Sequence, residues 1–452
     1  MDGKARERGK VKTYPRPTPR PIPVRASGTR GWLDPSSLFD FDKVQTTEES
    51  QDDQPLKIVA AIDGSRIPIS YDGEGKPLGL KNQAFGRRIV SLMEIFLPVG
   101  YPHSVTPDYT PYQIYDSLQA FSSTIAGLLS SRAVLQGFGV GDSTSSATAA
   151  VLLTVLQEST GRLATILFAH RCGQAIQPEC KFYRFLADIV NDGALFLDIL
   201  APALPSYPKV LALCGAGVLR ALCGVSGGAA KAELSAHFAR NGNLAELNAK
   251  DGSQETVISL LGMLVGSVVL HFVHFKADVL LWMIVLVAIH LWTNYQAVRS
   301  VQMRTLNKQR LCILLDNLLE NGVILRPDQV AAKEKIMTWV SPNISFADTL
   351  PQPGEIPASD LEHSKGVDYV IVSRNGYTKI WMKLEKPSFP TAPAAIQAWA
   401  EAYCAQRCVR EIYPWRRLEA AGWHFQRLEE AGWDLLTNAL ETSPSTCLIL
   451  NE

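Results

Sequence analysis

Two apolar stretches decide the fold: Thr256-Val-Ile-Ser-Leu-Leu-Gly-Met-Leu-Val-Gly-Ser-Val-Val-Leu-His-Phe-Val-His-Phe275 and Val279-Leu-Leu-Trp-Met-Ile-Val-Leu-Val-Ala-Ile-His-Leu-Trp-Thr-Asn-Tyr-Gln-Ala-Val298. Neither contains Lys, Arg, Asp or Glu. Each is about 20 residues long, enough for a helix rising about 1.5 Å per residue to cross roughly 30 Å of hydrocarbon. Only Lys276-Ala-Asp278 separates them, which predicts a tight helical hairpin. Trp282 near one end of the second run, and Trp292 and Tyr295 near the other, stand where amphipathic rings settle at membrane interfaces. Gly262 and Gly266 form a GxxxG pattern that lets a neighbouring helix approach closely. Two buried helices of a large soluble core would share this composition, but adjacent runs of spanning length favour the bilayer.

Basic residues flank the open ends of the hairpin: Lys231, Arg240 and Lys250 before it, Arg299, Arg304, Lys308 and Arg310 after it. The positive-inside rule then puts both open ends, and both chain termini, on the cytosolic side. Upstream, helices are expected over Tyr112–Leu135, through Val151 to Leu156, over Arg162–His170 and over Phe182–Leu200. An apolar, small-residue segment follows at Val210–Val225. Charges interrupt these segments, so they span as part of a bundle or lie in the interface. Residues 1–55 form a disordered arm, first basic and Pro-rich and then acidic. Lys57-Ile-Val-Ala-Ala-Ile-Asp-Gly reads as a short strand ending in a turn.

Beyond Arg310 the chain turns soluble. Helices are expected at Leu311–Leu319 and Asp328–Met337, then a Pro- and Ser-rich linker from Ser341 to Ser359. Asn375-Gly376 between Tyr369-Val-Ile-Val and Lys379-Ile-Trp-Met signals a β-hairpin. Ala394–Arg410 and Trp415–Leu440 read as helices, and Thr446–Leu450 as a last strand. Leu418-Glu-Ala-Ala-Gly-Trp423 repeats as Leu428-Glu-Glu-Ala-Gly-Trp433. The fold class is mainly α: a polytopic helical membrane domain (56–330), a helix end and linker (331–360), and a small α+β C-terminal domain (361–452).

Composition excludes some functions. Lys+Arg and Asp+Glu both total 44, so no net charge draws the chain to nucleic acid. The eight cysteines form no CxxC pair and read as reduced thiols, with no disulfide frame or zinc site. Gly224-Val-Ser-Gly-Gly228 matches the GxSxG nucleophile pattern, but the segment before it is helix-like where that motif needs a strand. Asp142 beside Gly137, Gly139 and Gly141 opposes phosphate binding there and makes the triplet a helix stop. His271, His274 and His290 lie too far apart along the hairpin to share one ion, so no metal and no cofactor is expected.

The most suggestive chemistry lies between Arg184 and Asp198. At helical spacing Arg184, Asp188, Asn191 and Asp198 fall in a stripe about 80° wide, with Asp192 on its flank. Buried among membrane helices such a stripe lines a polar path or a substrate site. On a helix lying flat it simply faces water. Glu158 and Arg162, at i and i+4, are either a second polar contact or a helix-surface pair.

Several segments together resemble the root UV-B sensitive family. They are Phe96-Leu-Pro-Val-Gly-Tyr-Pro-His-Ser-Val-Thr-Pro-Asp-Tyr109, Gly139-Val-Gly-Asp142, Ala187-Asp-Ile-Val-Asn-Asp192, Asn248-Ala-Lys-Asp-Gly-Ser-Gln-Glu-Thr256 and Asn294-Tyr-Gln-Ala-Val-Arg299. The motif positions include Pro98, Gly100, Pro102, Pro107, Asp108, Lys250, Asp251, Gly252, Ser253, Gln254, Glu255, Asn294, Tyr295 and Arg299. The resemblance implies a eukaryotic multi-pass membrane protein with no established enzymatic activity, and it carries over no catalytic residues. Plant members are linked to UV-B responses, auxin transport and vitamin B6 balance. The expected partners are the lipid membrane and homo- or hetero-oligomers with other family members, with no nucleic acid. Two functions follow as expectations: transport or trafficking of a small metabolite, or a membrane-anchored adaptor recruiting proteins through its C-terminal domain.

Overall fold

The structure is a computed structural model that describes residues 56–62, 65–71, 77–78, 95–137, 147–240, 242–273, 275–337, 343–384, 391–407 and 418–449. The N-terminal arm, the helix stop at Gly139 and Gly141 with Asp142, and His274 lie outside the described residues. The strand expected at Lys57 is β1 (Leu56–Ile62). It pairs antiparallel with β2 (Ser65–Tyr71), and β3 (Pro77–Leu78) extends the sheet.

Among the described residues six long helices follow: α1 (Tyr109–Gly137), α2 (Ala147–Ile176), α3 (Cys180–Leu200), α4 (Ser206–Phe238), α5 (Leu244–Phe272) and α6 (Lys276–Ser300). One apolar cluster joins Tyr109, Ile176, Cys180, Phe238, Leu247 and Ala297. These residues belong to the first turns of α1, α3 and α5 and the last turns of α2, α4 and α6. The helices therefore alternate in direction, and the chain enters and leaves the bundle at the same end. Helix α1 packs against α3, α5 and α6, while α4 packs between α3 and α2.

This arrangement corrects the expected hairpin. Helices α5 and α6 are consecutive but do not pack along each other; α1 lies against both. The GxxxG glycines serve that contact. A Cβ at Gly262 would stand 2.8 Å from Thr124 Cβ and 3.2 Å from the Phe121 carbonyl oxygen. At Gly266 it would meet only the end of the flexible Leu128 side chain, at 2.6 Å. Gly262→Val should therefore lower the melting temperature in detergent, by the overpacking cost of about 1–3 kcal/mol, and more than Gly266→Ala does. Equal melting of both variants and the parent chain would contradict the close α1–α5 contact.

Two expected short helices are one: α2 runs unbroken through Gly161. There its backbone meets α4, since a Cβ at Gly161 would stand 3.2 Å from the Gly217 carbonyl oxygen. The mid-helix glycine marks close packing here, not a break. Among the described residues four helices are long and apolar enough to cross a membrane: Thr148–Ile176, Ser206–Phe238, Leu244–Phe272 and Ala277–Ser300. Their outward faces are mostly apolar, with Leu163, Leu264 and Leu281 about 60% exposed (62%, 60% and 62%).

The C-terminal unit holds a four-stranded sheet ordered β4 (Ile344–Phe346), β6 (Tyr377–Leu384) and β5 (Tyr369–Arg374), with β7 (Cys447–Ile449) also pairing β6. The Asn375-Gly376 turn forms as expected, with φ of 52° and 79°, and β7 is the expected last strand, parallel to β6. Helices α7 (Lys308–Asn321), α8 (Pro327–Lys333), α9 (Ala358–His363), α10 (Ala392–Arg407) and α11 (Phe425–Glu430) complete it. Its core joins Leu311, Leu315 and Val330 to Ile344, Trp399 and Trp433. Leu306, Leu311 and Val330, inside the helical domain drawn over 56–330, pack in this core. The expected 341–359 linker supplies strand β4.

The helix expected over Trp415–Leu440 is not continuous. In each copy of the ten-residue repeat, glycine ends a helical turn at positive φ, 86° at Gly422 and 98° at Gly432. The Trp423 N–H returns to the Leu418 carbonyl at 2.9 Å, and the Trp433 N–H to Leu428 at 3.1 Å. Both pairs are Schellman helix stops in which the residue after the glycine folds back onto the apolar residue five positions before it. All four side chains sit in the core.

Candidate functional site

The apolar faces of α1, α3 and α6 leave one cluster of charges between them. Arg184 on α3 donates to Asp116 (2.8 Å) and Gln119 (3.2 Å) of α1 and to Asp188 (3.1 Å) one turn along its own helix. The Gln119 amide donates to Asp188 (2.7 Å) and lies 2.8 Å from His290 Nε2 on α6. His290 Nδ1 is 2.8 Å from Asp192, and Asn294 Nδ2 donates to Asp188. These contacts fit an imidazole carrying its proton on Nδ1 and accepting from Gln119 at Nε2. Asp188, Asp192, His290 and Asn294 are at most 5% exposed. Arg184 Nε, Asp192 Oδ1 and Asn294 Oδ1 are buried with no partner among the described residues.

A second group lies further along α3. Asp198, fully buried, accepts from Ser130 of α1 at 2.8 Å and pairs with Arg220 of α4. From Arg184 to Asp198 the helix rises about 21 Å. Between the two groups Leu195 packs with Leu129, Met283 and Leu286 in an apolar layer.

The expected stripe is therefore buried, not turned to water, at Arg184, Asp188, Asp192 and Asp198. Asn191 is half-buried and stands outside the network. Of the two readings of Glu158 and Arg162 the structure has the helix-surface pair and not the second polar contact: they are 3.4 Å apart on the outer face of α2, 63% and 80% exposed at their side chains. His290, set apart from His271 and His274 by the distance along the hairpin, is part of this buried network. Ser226 of the GxSxG match sits inside α4 and bonds the Leu222 carbonyl at 2.7 Å, with no strand-to-helix elbow around it. Asp116 and Gln119 on α1 were missed; the available signal was their i,i+3 spacing, with Asp116 the one acidic residue of that helix. Among the described residues no group of three His, Cys, Asp or Glu side chains is arranged to hold a metal ion.

The motif residues gather mostly at the end of the bundle where the chain enters and leaves. Pro98 and Gly100 shape the turns before α1; Pro102 and Pro107 lie exposed in the same stretch. Asp251 accepts from Tyr109 (2.8 Å), Gln254 donates to the Phe96 carbonyl (2.6 Å), and Glu255 pairs with Lys231 (2.8 Å). Lys250 reaches the Ile95 carbonyl at 3.3 Å, and Ser253 bonds its own helix at Ala249. Gly252 has no neighbour where a Cβ would stand. Tyr295 accepts from Arg299 at 3.3 Å, one turn on.

Asp108 ties three elements together. It lies 2.9 Å from His237 Nε2 of α4 and accepts from the Gln302 N–H, just past α6, at 2.6 Å. Burial opposes its ionisation, but His237, Thr106 and Gln302 outweigh it and hold the carboxyl at about 2. A carboxyl depressed in the folded state stabilises above its ordinary range and loses that stabilisation as pH falls through about 2. Asp108→Asn should therefore cost about 2 kcal/mol at neutral pH, with the gap from the parent chain narrowing below pH 4. Chemical denaturation in detergent across pH reads this; a gap constant with pH would contradict it.

Comparison with known proteins places this geometry. Residues 83–322 match the family model described as the vitamin B6 photo-protection and homoeostasis domain. The chain is 38% identical over 250 residues to RUS family member 1 of Dictyostelium discoideum, covering 54% of this chain and 47% of the relative. It is 35% identical over 248 residues to protein root UVB sensitive 3 of Arabidopsis thaliana, covering 54% and 56%. A chloroplastic relative, root UVB sensitive 2 of the same plant, is 26% identical over 253 residues, covering 56% and 57%. The matched part thus spans about half the length of these relatives. No solved structure matches the chain. With the matched span reaching over more than half of its 452 residues, the chain belongs to the root UV-B sensitive family.

Proposed function

We propose that the chain is a multi-pass membrane protein, non-enzymatic in its action, that passes a small cationic metabolite along the polar line of α3. The observation that carries the reading is the charge balance of the buried cluster. Three carboxylates, Asp116, Asp188 and Asp192, surround a single guanidinium and an imidazole. Carboxylates in excess inside a bundle are costly unless a proton or a cation joins them. The unpartnered Asp192 and Asn294 oxygens are acceptors for such a guest. The matched domain's description makes a vitamin B6 vitamer the first solute to try. Pyridoxamine carries the required ammonium group. The apolar layer at Leu195 closes the line in this conformation, so passage requires the helices to move.

The four long apolar helices and their apolar outer faces support the membrane placement. The bundle end that gathers Arg240, Lys250, Arg299 and Arg304 faces the cytosol in this reading. Arg310 does not add to that belt, being buried against Glu334 at 2.9 Å. An even number of alternating helices puts both termini on that side. Carbonate extraction should leave the chain in the membrane pellet, and protease should reach tags at Met1 and Glu452 from the cytosol. Release into the soluble fraction, or protection of one terminus, contradicts the placement. Transport itself is tested by flux into vesicles reconstituted with the purified chain.

One observation favours a second reading, a bundle that docks a partner. Glu158 and Arg162 face outward near the middle of α2, where contact with hydrocarbon costs a few kcal/mol per charge. A partner helix covering α2 would remove that cost.

A further inference from the structure

Between α1 and α5, toward the end where the chain enters the bundle, lies a cavity of about 580 Å³. That size suits a small organic ligand. Its surface is mostly apolar, with Leu97, Ile114, Leu118, Phe121 and Ile258 among its walls, and among the described residues no charged side chain lines it. A carboxylate or phosphate ligand would find no cation there and would lose its hydration unpaid.

Four polar side chains on the wall are already satisfied. Tyr101 and Thr110 share a hydrogen bond of 2.7 Å, Tyr109 donates to Asp251, and Gln254 donates to the Phe96 carbonyl. Gln113, also on the wall, differs: its Oε1 is buried and has no partner among the described residues. A buried acceptor without a donor is costly, and a ligand with one O–H or N–H relieves it. The mouth adds a further constraint. Ile114 is 57% exposed and Leu118 49%, and Val257 and Leu261 on α5 are exposed beside them. An apolar rim of this kind admits a ligand from hydrocarbon more readily than from water.

We propose that this cavity binds a neutral membrane alcohol, with its apolar body against Leu118, Phe121 and Ile258 and its hydroxyl donating to Gln113 Oε1. The segments that carry the family resemblance, through Leu97, Tyr101, Tyr109 and Gln254, thus build a lipid site distinct from the charge cluster of α3. The proposal rests on the membrane placement above and not on the transport reading.

The test uses the full chain in membranes with photoreactive, alkyne-bearing probes: a sterol, a diacylglycerol and, as an anionic control, a fatty acid. Labelled peptides are mapped after irradiation. One or both neutral alcohols should label peptides from Leu97 to Phe121 or around Ile258, in competition with the unlabelled lipid. Ser117→Trp should fill the cavity and abolish that labelling. Gln113→Leu should weaken it about tenfold, the value of one hydrogen bond. Both variants must stay in the carbonate pellet and keep the parent melting temperature; Ser117→Ala is the milder companion that retains labelling. Failure of both alcohols to label these peptides overturns the proposal, as does labelling indifferent to Gln113→Leu. Equal labelling by the fatty acid overturns the neutral-alcohol assignment. A chain released by carbonate contradicts the membrane placement instead, so the two failures are separable.

Discussion

The double replacement Asp188→Asn/Asp192→Asn is expected to abolish rescue of a null strain while the protein stays in the membrane at normal abundance. Asp188 accepts from Arg184, Gln119 and Asn294, and Asp192 holds the Nδ1 side of His290. Amides of the same shape keep the packing but remove two of the three negative charges around Arg184. Asp116, 2.8 Å from Arg184, still pairs with it, so no unpaired cation is left in the bundle. Folding should therefore survive and the site's preference for a cation should not. Exposed pairs are worth at most about 1 kcal/mol and their loss passes nearly unnoticed. Lys365→Gln, in the exposed Lys365–Glu362 pair of the C-terminal unit, is the matching control. Full rescue by the double variant would end the polar-path account and favour the partner-docking reading.

The largest expected loss of stability follows Glu334→Ala. Glu334 bonds Lys181 of α3 at 2.6 Å and Arg310 of α7 at 2.9 Å, and all three are buried. Burial opposes its ionisation, but Arg310 and Lys181 outweigh that and hold the carboxyl below its ordinary range. Alanine leaves two cations buried with no anion between them. Removing one partner of a buried pair costs about 3–5 kcal/mol. Since Lys181 stands on the bundle and Arg310 in the C-terminal unit, the loss should loosen the junction. Limited proteolysis should separate the unit from the bundle faster than in the parent chain, and melting should fall in the same variant. Unchanged proteolysis and melting would show that the triad does not hold the two units together.

The sequence was most legible where the signal is local. The Asn375-Gly376 turn announced its hairpin because both residues tolerate positive φ. The runs around Leu264 and Leu286 announced long apolar helices, and Gly262 a close helix contact. Which helix makes that contact was not legible, since α1 is more than a hundred residues away in the chain. That the helices expected through Val151–Leu156 and over Arg162–His170 are one was not legible, because Gly161 between them serves a close crossing with a helix distant in the chain. The Leu-Glu-x-Ala-Gly-Trp repeats were hidden for the opposite reason, apolar spacing that continues across two true stops. The stripe on α3 was visible from its spacing, but its burial depends on Asp116, Gln119, His290 and Asn294 from two other helices. Glu158 and Arg162 have the same local pattern as Arg184 and Asp188, yet they lie outside. Only the tertiary fold separates the two pairs.

The most direct measurement is flux into vesicles reconstituted with the purified chain and loaded with a pH-sensitive dye, with pyridoxamine supplied outside. Uptake of pyridoxamine with a change of internal pH, present with the parent chain and absent with Asp188→Asn/Asp192→Asn, is the predicted result. Uptake no greater than in protein-free vesicles, or equal uptake by the parent and the double variant, would contradict the account.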